Sequence, residues 1–264
     1  MCLAVFSWQP GADSVLQLVA NRDEFRARPT SAMHWWPDNT ILAGKDEVAG
    51  GSWLGANKLG HFALLTNIRP GFIGYQATRS RGDLVRNFLS YQLNSTQLSS
   101  PQLTSTQSIE QYHQSVITEI EAYGGFNLLL GDGERLFWFS STNPQGRWLE
   151  AGIYGLSNDS LDTPWPKTEL AKQQMQAFLD SGKTTLQQSE ILTSTTVFAD
   201  HQLPKTDVPI EWERKVSAQT ITDEQYGTRC RTYLDWRNAR FNITEQQIDS
   251  QANISAEANY LIEV

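Results

Sequence analysis

Two short apolar runs open the chain, Cys2 to Trp8 and Val15 to Ala20, joined by Gln9-Pro10-Gly11-Ala12-Asp13. Pro-Gly marks a turn, so the pair reads as an antiparallel hairpin, and a fold built on it needs a sheet. The segments Ile41 to Ala43 and Gly50 to Gly55 follow, and then the strand candidate Phe62 to Asn67. Helical spacing then takes over: Leu84, Val85, Phe88 and Leu89 share one face, as do Ile109, Tyr112, Val116, Ile117 and Ile120. The run from Asn94 to Ser108 reads as an exposed connection between these helices. Strands return at Phe126 to Leu130, Leu136 to Phe139 and Trp148 to Leu156. A third helix carries Leu170, Met175, Phe178 and Leu179, and strands close the chain near Thr228 to Trp236 and Phe241 to Thr244. Clustered strands and clustered helices make an α+β pattern in which the sheets need helices on an outer face. With no repeat and no composition break, residues 1–264 read as one domain. Two antiparallel sheets between two helical layers satisfy the pattern, as do several other α+β folds.

Cys2 stands directly behind the initiator Met1. Removal of that methionine would leave a thiol and a free α-amine on one residue. Such a pair is a nucleophile with its own base, because an α-amine has a pKa of about 7.7 to 8.0. The plain alternative is a small buried hydrophobe at the start of a strand.

The chain carries 29 acidic and 21 basic residues, a formal charge of -8, which argues against nucleic-acid partners while allowing a local basic pocket. Aromatic residues make up 11%, with nine tryptophans, enough for a pocket with aromatic walls as well as a core. The first apolar run is too short for a signal peptide or a membrane span, so no integral membrane segment and a cytoplasmic address are expected. Cys2 and Cys230 are the two cysteines, expected as free thiols. No metal site is expected, since His34, His61, His113 and His201 lie far apart without ligand spacing.

The densest charged run, Asn21-Arg22-Asp23-Glu24-Phe25-Arg26-Ala27-Arg28-Pro29, follows the second apolar run. It reads either as a solvated turn or as the rim of an active site. In the second case the hairpin brings Cys2 and Asn21 to the same end of the sheet, with Arg22 and Glu24 flanking the thiol. Gly50-Gly51 reads as a turn or as a close backbone approach to a ligand.

Eight short motifs in order carry a resemblance: Cys2 with Asn21-Arg22-Asp23-Glu24, Gly50 to Gly55, Leu65 to Arg69, Ser80-Arg81-Gly82, Gly125 to Leu128, Leu156-Ser157-Asn158, Thr163-Pro164-Trp165-Pro166-Lys167 and Tyr226 to Arg229. Together they look like the family of transport and Golgi organisation protein 2, over nearly the whole chain. The resemblance implies a four-layer αββα sandwich of the N-terminal-nucleophile hydrolase type and, for parts of the family, haem trafficking. A link to lipid or acyl-coenzyme A metabolism has also been proposed for the family. A more distant similarity to choloylglycine hydrolases and penicillin acylases implies a catalytic set. Cys2 would be the nucleophile, Asn67 and Asn158 would resemble the two asparagines, and Arg229 the late arginine. Ungapped, Asn21 falls where those enzymes place arginine and Glu24 where they place aspartate, with Arg22 beside them. This is the alternative reading, a hydrolase or acyltransferase acting on amide bonds.

The binding reading is a small hydrophobic or amphipathic ligand, with haem as the family's candidate. Covalent attachment is excluded, because Cys-x-x-Cys-His is absent. A non-covalent haem would draw an axial ligand from Cys2, His34 or His61, with Trp53 and Arg69 among its pocket residues.

Overall fold

In a computed structural model the chain is described over residues 2–37, 40–69, 77–97 and 105–264. From the N-terminus run β1 (Cys2–Trp8), β2 (Ser14–Phe25), β3 (Thr30–Trp35), β4 (Ile41–Asp46), β5 (Leu54–Asn57) and β6 (Phe62–Asn67). Helices α1 (Gly82–Gln97) and α2 (Ser105–Ile117) precede β7 (Phe126–Gly131), β8 (Leu136–Ser140), β9 (Arg147–Trp148) and β10 (Gly152–Leu156). After α3 (Pro166–Asp180) and α4 (Ile210–Lys215), the chain closes with β11 (Tyr226–Arg237), β12 (Arg240–Ile248) and β13 (Ile254–Glu263). The strands form two sheets, in the orders β10-β1-β2-β11-β12-β13 and β3-β4-β5-β6-β7-β8-β9. All of their pairings are antiparallel.

Side-chain alternation explains the layers, since residues two apart on a strand share a face. Ala4, Phe6 and Trp8 of β1, with Leu16, Leu18 and Ala20 of β2, turn inward against Leu54, Ala56, Phe62, Leu64, Leu129 and Trp138 of the other sheet. Their neighbours Leu3, Val5 and Val19 turn outward against Ala171, Met175 and Phe178 of α3. On the far side, Ala63, Leu65, Leu128 and Leu130 meet Leu84, Val85, Phe88 and Leu89 of α1 and Ile109, Tyr112 and Val116 of α2. The result is the four-layer αββα sandwich expected of the N-terminal-nucleophile hydrolase type. Strands buried on both faces read as unbroken apolar runs, which is why β1 carries Leu-Ala-Val-Phe and not an alternating pattern.

Several elements differ from the sequence expectation. The charged run is not a solvated turn: β2 continues to Phe25 because β1 and β11 hydrogen-bond it on both sides. Both helices extend into the expected connection, to Gln97 and from Ser105; residues 98–104 lie outside the described residues. The expected strand from Trp148 to Leu156 is two strands in different sheets, β9 and β10. Strand β13 was not expected: it is an edge strand with mostly exposed side chains, of which Ile262 is buried. No helix among the described residues is long and apolar enough to cross a membrane. Cys2 and Cys230 are both free thiols. They flank Arg22 on successive strands, about 10 Å apart by strand spacing and outside disulfide range.

Candidate functional site

The start of β1 and the ends of β2, β4 and β6 meet the start of α1 at one end of the sandwich. They enclose a pocket of about 820 Å³ whose lining includes Cys2, Arg22, Asp23, Glu24, Trp53, Asn67, Arg69 and Arg81. That volume lies within the range of small-molecule sites. Two glycines set the wall. A Cβ on Gly51 would lie 2.3 Å from the carbonyl carbon of Gly82, and the Ser52 N–H donates to the Gly82 carbonyl at 3.1 Å. Gly51 therefore admits neither a ligand nor merely a turn; it lets the backbone before β5 seat against the first turn of α1.

Cys2 is half-buried and faces Arg22 across the β1–β2 ladder. Burial, with the Asp23 carboxylate adding to it, pushes its thiol above the usual range, against which Arg22 and a hydrogen bond from the Asp23 backbone N–H act. The Ser157 hydroxyl donates to the Cys2 carbonyl at 3.4 Å. Arg22 is 5% exposed, with its guanidinium 4.1 Å over the Trp53 ring and a bond of 3.2 Å to the Thr30 hydroxyl. Its carboxylate neighbours Glu24 and Asp46 lie at 3.9 and 4.0 Å, the looser edge of ion pairing.

Alternation along β2 sorts the charged run. Asn21 points away from the pocket, toward the α3 side. Its amide donates to the Leu192 and Gln219 carbonyls and its oxygen accepts from Arg231, so Asn21 is a structural latch. Asp23 shares the Asn21 face of β2, yet one step further along the strand it is among the residues that line the pocket; it is 1% exposed and accepts from the Thr228 hydroxyl at 2.7 Å. Burial raises its carboxyl pKa, with Lys167, Thr228 and Arg69 pulling the other way. The acid beside Cys2 is therefore Asp23 as well as Glu24, which the ungapped reading had put forward alone. Arg229 falls in a β-bulge of β11 and donates to the carbonyls of Phe25, Arg26 and Arg28. It holds the turn after β2 and is not part of the pocket lining.

Asn67 ends β6 at the pocket, whereas Pro70, Gly71 and Phe72 of its motif lie outside the described residues. Asn158 is fully buried and is not part of the pocket lining; one of its two amide N–H groups donates to the Asn67 carbonyl at 2.9 Å. Arg69 reaches the pocket while ion-paired with Glu213 at 2.8 Å, and its guanidinium sits 4.8 Å from the Trp165 ring centre. The histidines do not reach. His61 precedes β6 at the opposite end from Asn67, about 20 Å away along the strand, packed edge-on against Phe88. His34 lies on the edge strand β3 with its Nδ1 bonded to the Ala32 carbonyl at 2.8 Å. Of the three candidate axial ligands, Cys2 alone lines the pocket.

Sequence reasoning missed four members of this neighbourhood. Asp23 and Arg81 sat inside quoted motifs, and burial lowers the Arg81 pKa. Lys167 ends another motif, and Glu213, in α4, carried no local signal. Phe25, Trp212 and Tyr226 form an edge-to-face aromatic cluster at the pocket wall. In all, five arginines (Arg22, Arg28, Arg69, Arg79, Arg81) and three carboxylates (Asp23, Glu24, Asp46) line a pocket in a chain of net charge -8. Among the described residues no group of three or more His, Cys, Asp or Glu gathers as a metal site.

The family model described as Transport and Golgi organisation 2 matches residues 1–250. The human Transport and Golgi organization protein 2 homolog is 30% identical over 257 residues, covering 89% of this chain and 88% of that protein. The mouse homolog is 30% identical over 250 residues, covering 88% and 85%. Among solved structures, a mutant conjugated bile acid hydrolase from Clostridium perfringens aligns at TM-score 0.40 and 9% identity, over 99% of this chain and 97% of that one. A Caenorhabditis elegans N-acylethanolamine-hydrolyzing acid amidase orthologue aligns at TM-score 0.32 and 12% identity, over 72% and 89%.

Proposed function

Since the chain belongs to the Transport and Golgi organisation 2 family, we propose that its pocket binds and carries an amphipathic anion, with haem as the ligand class the family resemblance suggests. What supports this reading is five arginines on the pocket lining in a chain of net charge -8, of which Arg69 and Arg79 are paired with Glu213 and Glu119 outside the lining. A concave site with low-dielectric walls focuses such local charge and draws anions of its own choosing. Trp53, Phe25, Trp212 and Tyr226 supply aromatic wall for the apolar body of the ligand. For haem, the fit is through the edge of the macrocycle: its carboxylates meet arginines, and Cys2 is the one candidate among three that stands on the pocket wall. The absence of both histidines from that wall makes imidazole ligation by His34 or His61 a poor account of binding.

Titration with haem and with iron-free protoporphyrin tests the proposal. Saturable binding of both, weakened together by Arg81→Ala and by added salt, is the expected result. No saturable binding of either would overturn it.

A second reading is favoured by Cys2, Asp23 and Asn67 all lining the pocket. Here the Cys2 thiolate adds to an amide carbonyl, the amine leaves with a proton, and water hydrolyses the resulting thioester. The Asn67 amide would face the developing oxyanion, since Asn67 lines the pocket and Asn158 does not. Cys2-dependent turnover of small amides, with an acyl adduct on the Cys2 peptide, would put this reading first.

A further inference from the structure

Strand β13 closes the six-stranded sheet and pairs with β12 alone, so among the described residues its outer backbone edge is unpaired. The family match ends at residue 250, short of this strand. The Val264 N–H donates to the Ala239 carbonyl at 3.0 Å, and the pairing runs unbroken from Glu263 opposite Arg240 to Ala256 opposite Gln247. Hydrogen-bonding direction alternates along an antiparallel strand. Ala256, Ala258, Tyr260 and Ile262 therefore bond β12, as Val264 does, while Glu257, Asn259, Leu261 and Glu263 turn N–H and C=O to the open edge.

Proteins blunt an open edge by keeping it short, bulged or covered, or by placing Lys, Pro or an inward charge on it. The other sheet edges follow this rule. Strand β9 has 2 residues and β10 has 5, and β3 carries a bulge between Ser31 and His34, with the Tyr260 hydroxyl donating to its Met33 carbonyl. Strand β13 does not. It is 10 residues long, holds neither Lys nor Pro, and turns Ala256, Ala258, Tyr260 and Ile262 inward. Its two glutamates lie on the outer face and are tied to β12: Gln246 donates to Glu257 at 2.8 Å and Arg240 pairs with Glu263 at 3.2 Å. Its one irregularity stands at the start, beside Ile254. Leu261 and Val264 are half exposed at the other end, 53% and 50%.

We propose that two copies of the chain associate through β13, antiparallel about a two-fold axis at Asn259, joining their six-stranded sheets into one. A strand that fills this edge needs a long open edge of its own, and β13 is the one this chain presents. Pairing about a two-fold axis satisfies both edges with one surface and closes the assembly at the dimer. Charge and regularity choose the register. Centred on Asn259, the regular stretch from Ala256 to Ile262 overlaps fully, and Glu257 faces the partner subunit's Leu261, with about six ladder bonds. Centred on Tyr260, Glu257 would face the partner subunit's Glu263 twice over, and centred on Glu257 it would face its own copy; like charges directly opposite are unfavourable. Centred on Ala258, the regular overlap shortens. No β13 residue is part of the pocket lining, so the dimer is independent of what the pocket binds.

Light scattering on the whole protein at rising concentration, with amide hydrogen exchange by NMR on the same samples, tests this. The mass should pass from one chain to two. Over the same concentrations the Asn259 and Leu261 amides should become protected, whereas those of Ala258 and Tyr260 are protected throughout. Leu261→Pro removes an N–H that bonds nothing in the single chain, a substitution an outer edge tolerates. It deletes one ladder bond per copy and should weaken association at least about tenfold. A mass of one chain at the highest concentration would overturn the proposal. So would a dimer whose Asn259 and Leu261 amides exchange freely, or a folded Leu261→Pro protein that associates as tightly as wild type. Should Leu261→Pro not fold, the alternating amide pattern of the wild-type protein still decides.

Discussion

Cys2 lies directly opposite Arg22 on the antiparallel partner strand, and Arg22 stacks over Trp53 at 4.1 Å, so thiol, guanidinium and indole form one course of the pocket wall. The thiol is held at the edge of the inter-sheet core without being part of its packing. Leu3 and Ala4, the next two residues, are the ones fully buried.

Substituting Cys2 by alanine should therefore change function more than stability. Loss of one small side chain at a strand start should cost on the order of 1 kcal/mol, a shift of about 2–4 °C in melting midpoint for a chain of this size. Calorimetry or thermal circular dichroism, run beside ligand titration, checks this. Full binding and full activity in a folded Cys2→Ala protein would make the thiol structural.

The Arg69–Glu213 pair tells a different story, because both side chains are nearly inaccessible and 2.8 Å apart. Removing one partner leaves a buried uncompensated charge, a loss of about 3–5 kcal/mol. Glu213→Ala should thus lower stability by that amount in denaturant melts and disturb Arg69 at the pocket. Arg214→Ala on the same helix breaks an exposed pair with Asp200 and should cost under about 1 kcal/mol.

Gly51→Ala should be among the least tolerated small substitutions. The added methyl would meet the backbone of Gly82 at 2.3 Å, and backbone on both sides has nowhere to move. A loss of about 1–3 kcal/mol or more is expected, with weakened pocket binding as α1 shifts. Gly152→Ala, where the nearest atom is a Tyr154 ring carbon at 3.4 Å, is the matched control and should stay near wild type.

Burial depresses the His61 imidazole to about 4. An unfolded histidine titrates near 6.5; below that pH the unfolded chain takes up a proton that the folded one refuses. Stability should then fall as pH drops from about 6.5 toward 4, by up to about 3 kcal/mol from this residue. His61→Phe, in apolar surroundings beside Phe88, should flatten that part of the pH–stability curve. An unchanged slope in the variant would mean that His61 charges freely in the folded protein.

The sequence made the fold more legible than the site, for a physical reason. β1 and β6 were readable because continuous apolar text reflects burial on both faces, and α1 to α3 because their apolar stripes repeat at helical spacing. β13 hid because an edge strand with one buried apolar position leaves little periodicity. The charged segment Arg22-Asp23-Glu24 looked solvated because the strand that buries its far side, β11, lies some two hundred residues away in sequence. The expected set then divides by strand parity and by local hydrogen bonding. Arg22 and Glu24 reach the pocket with Cys2; Asn21 alternates to the other face, and Arg229 is drawn to the carbonyls of Phe25, Arg26 and Arg28. Glu213 was invisible because its role depends on a partner, Arg69, on another element.

The most direct test of the central claim is whether a bound ligand covers Cys2. Iodoacetamide alkylation of the Cys2 peptide should slow in proportion to haem occupancy as the titration proceeds, while buried Cys230 serves as the unlabelled internal reference. Alkylation that tracks the unfilled fraction of sites places the ligand in the pocket lined by Cys2, Arg22 and Arg81. Saturable haem binding with Cys2 alkylated at its free rate would contradict the account, since the ligand would then sit elsewhere on the protein.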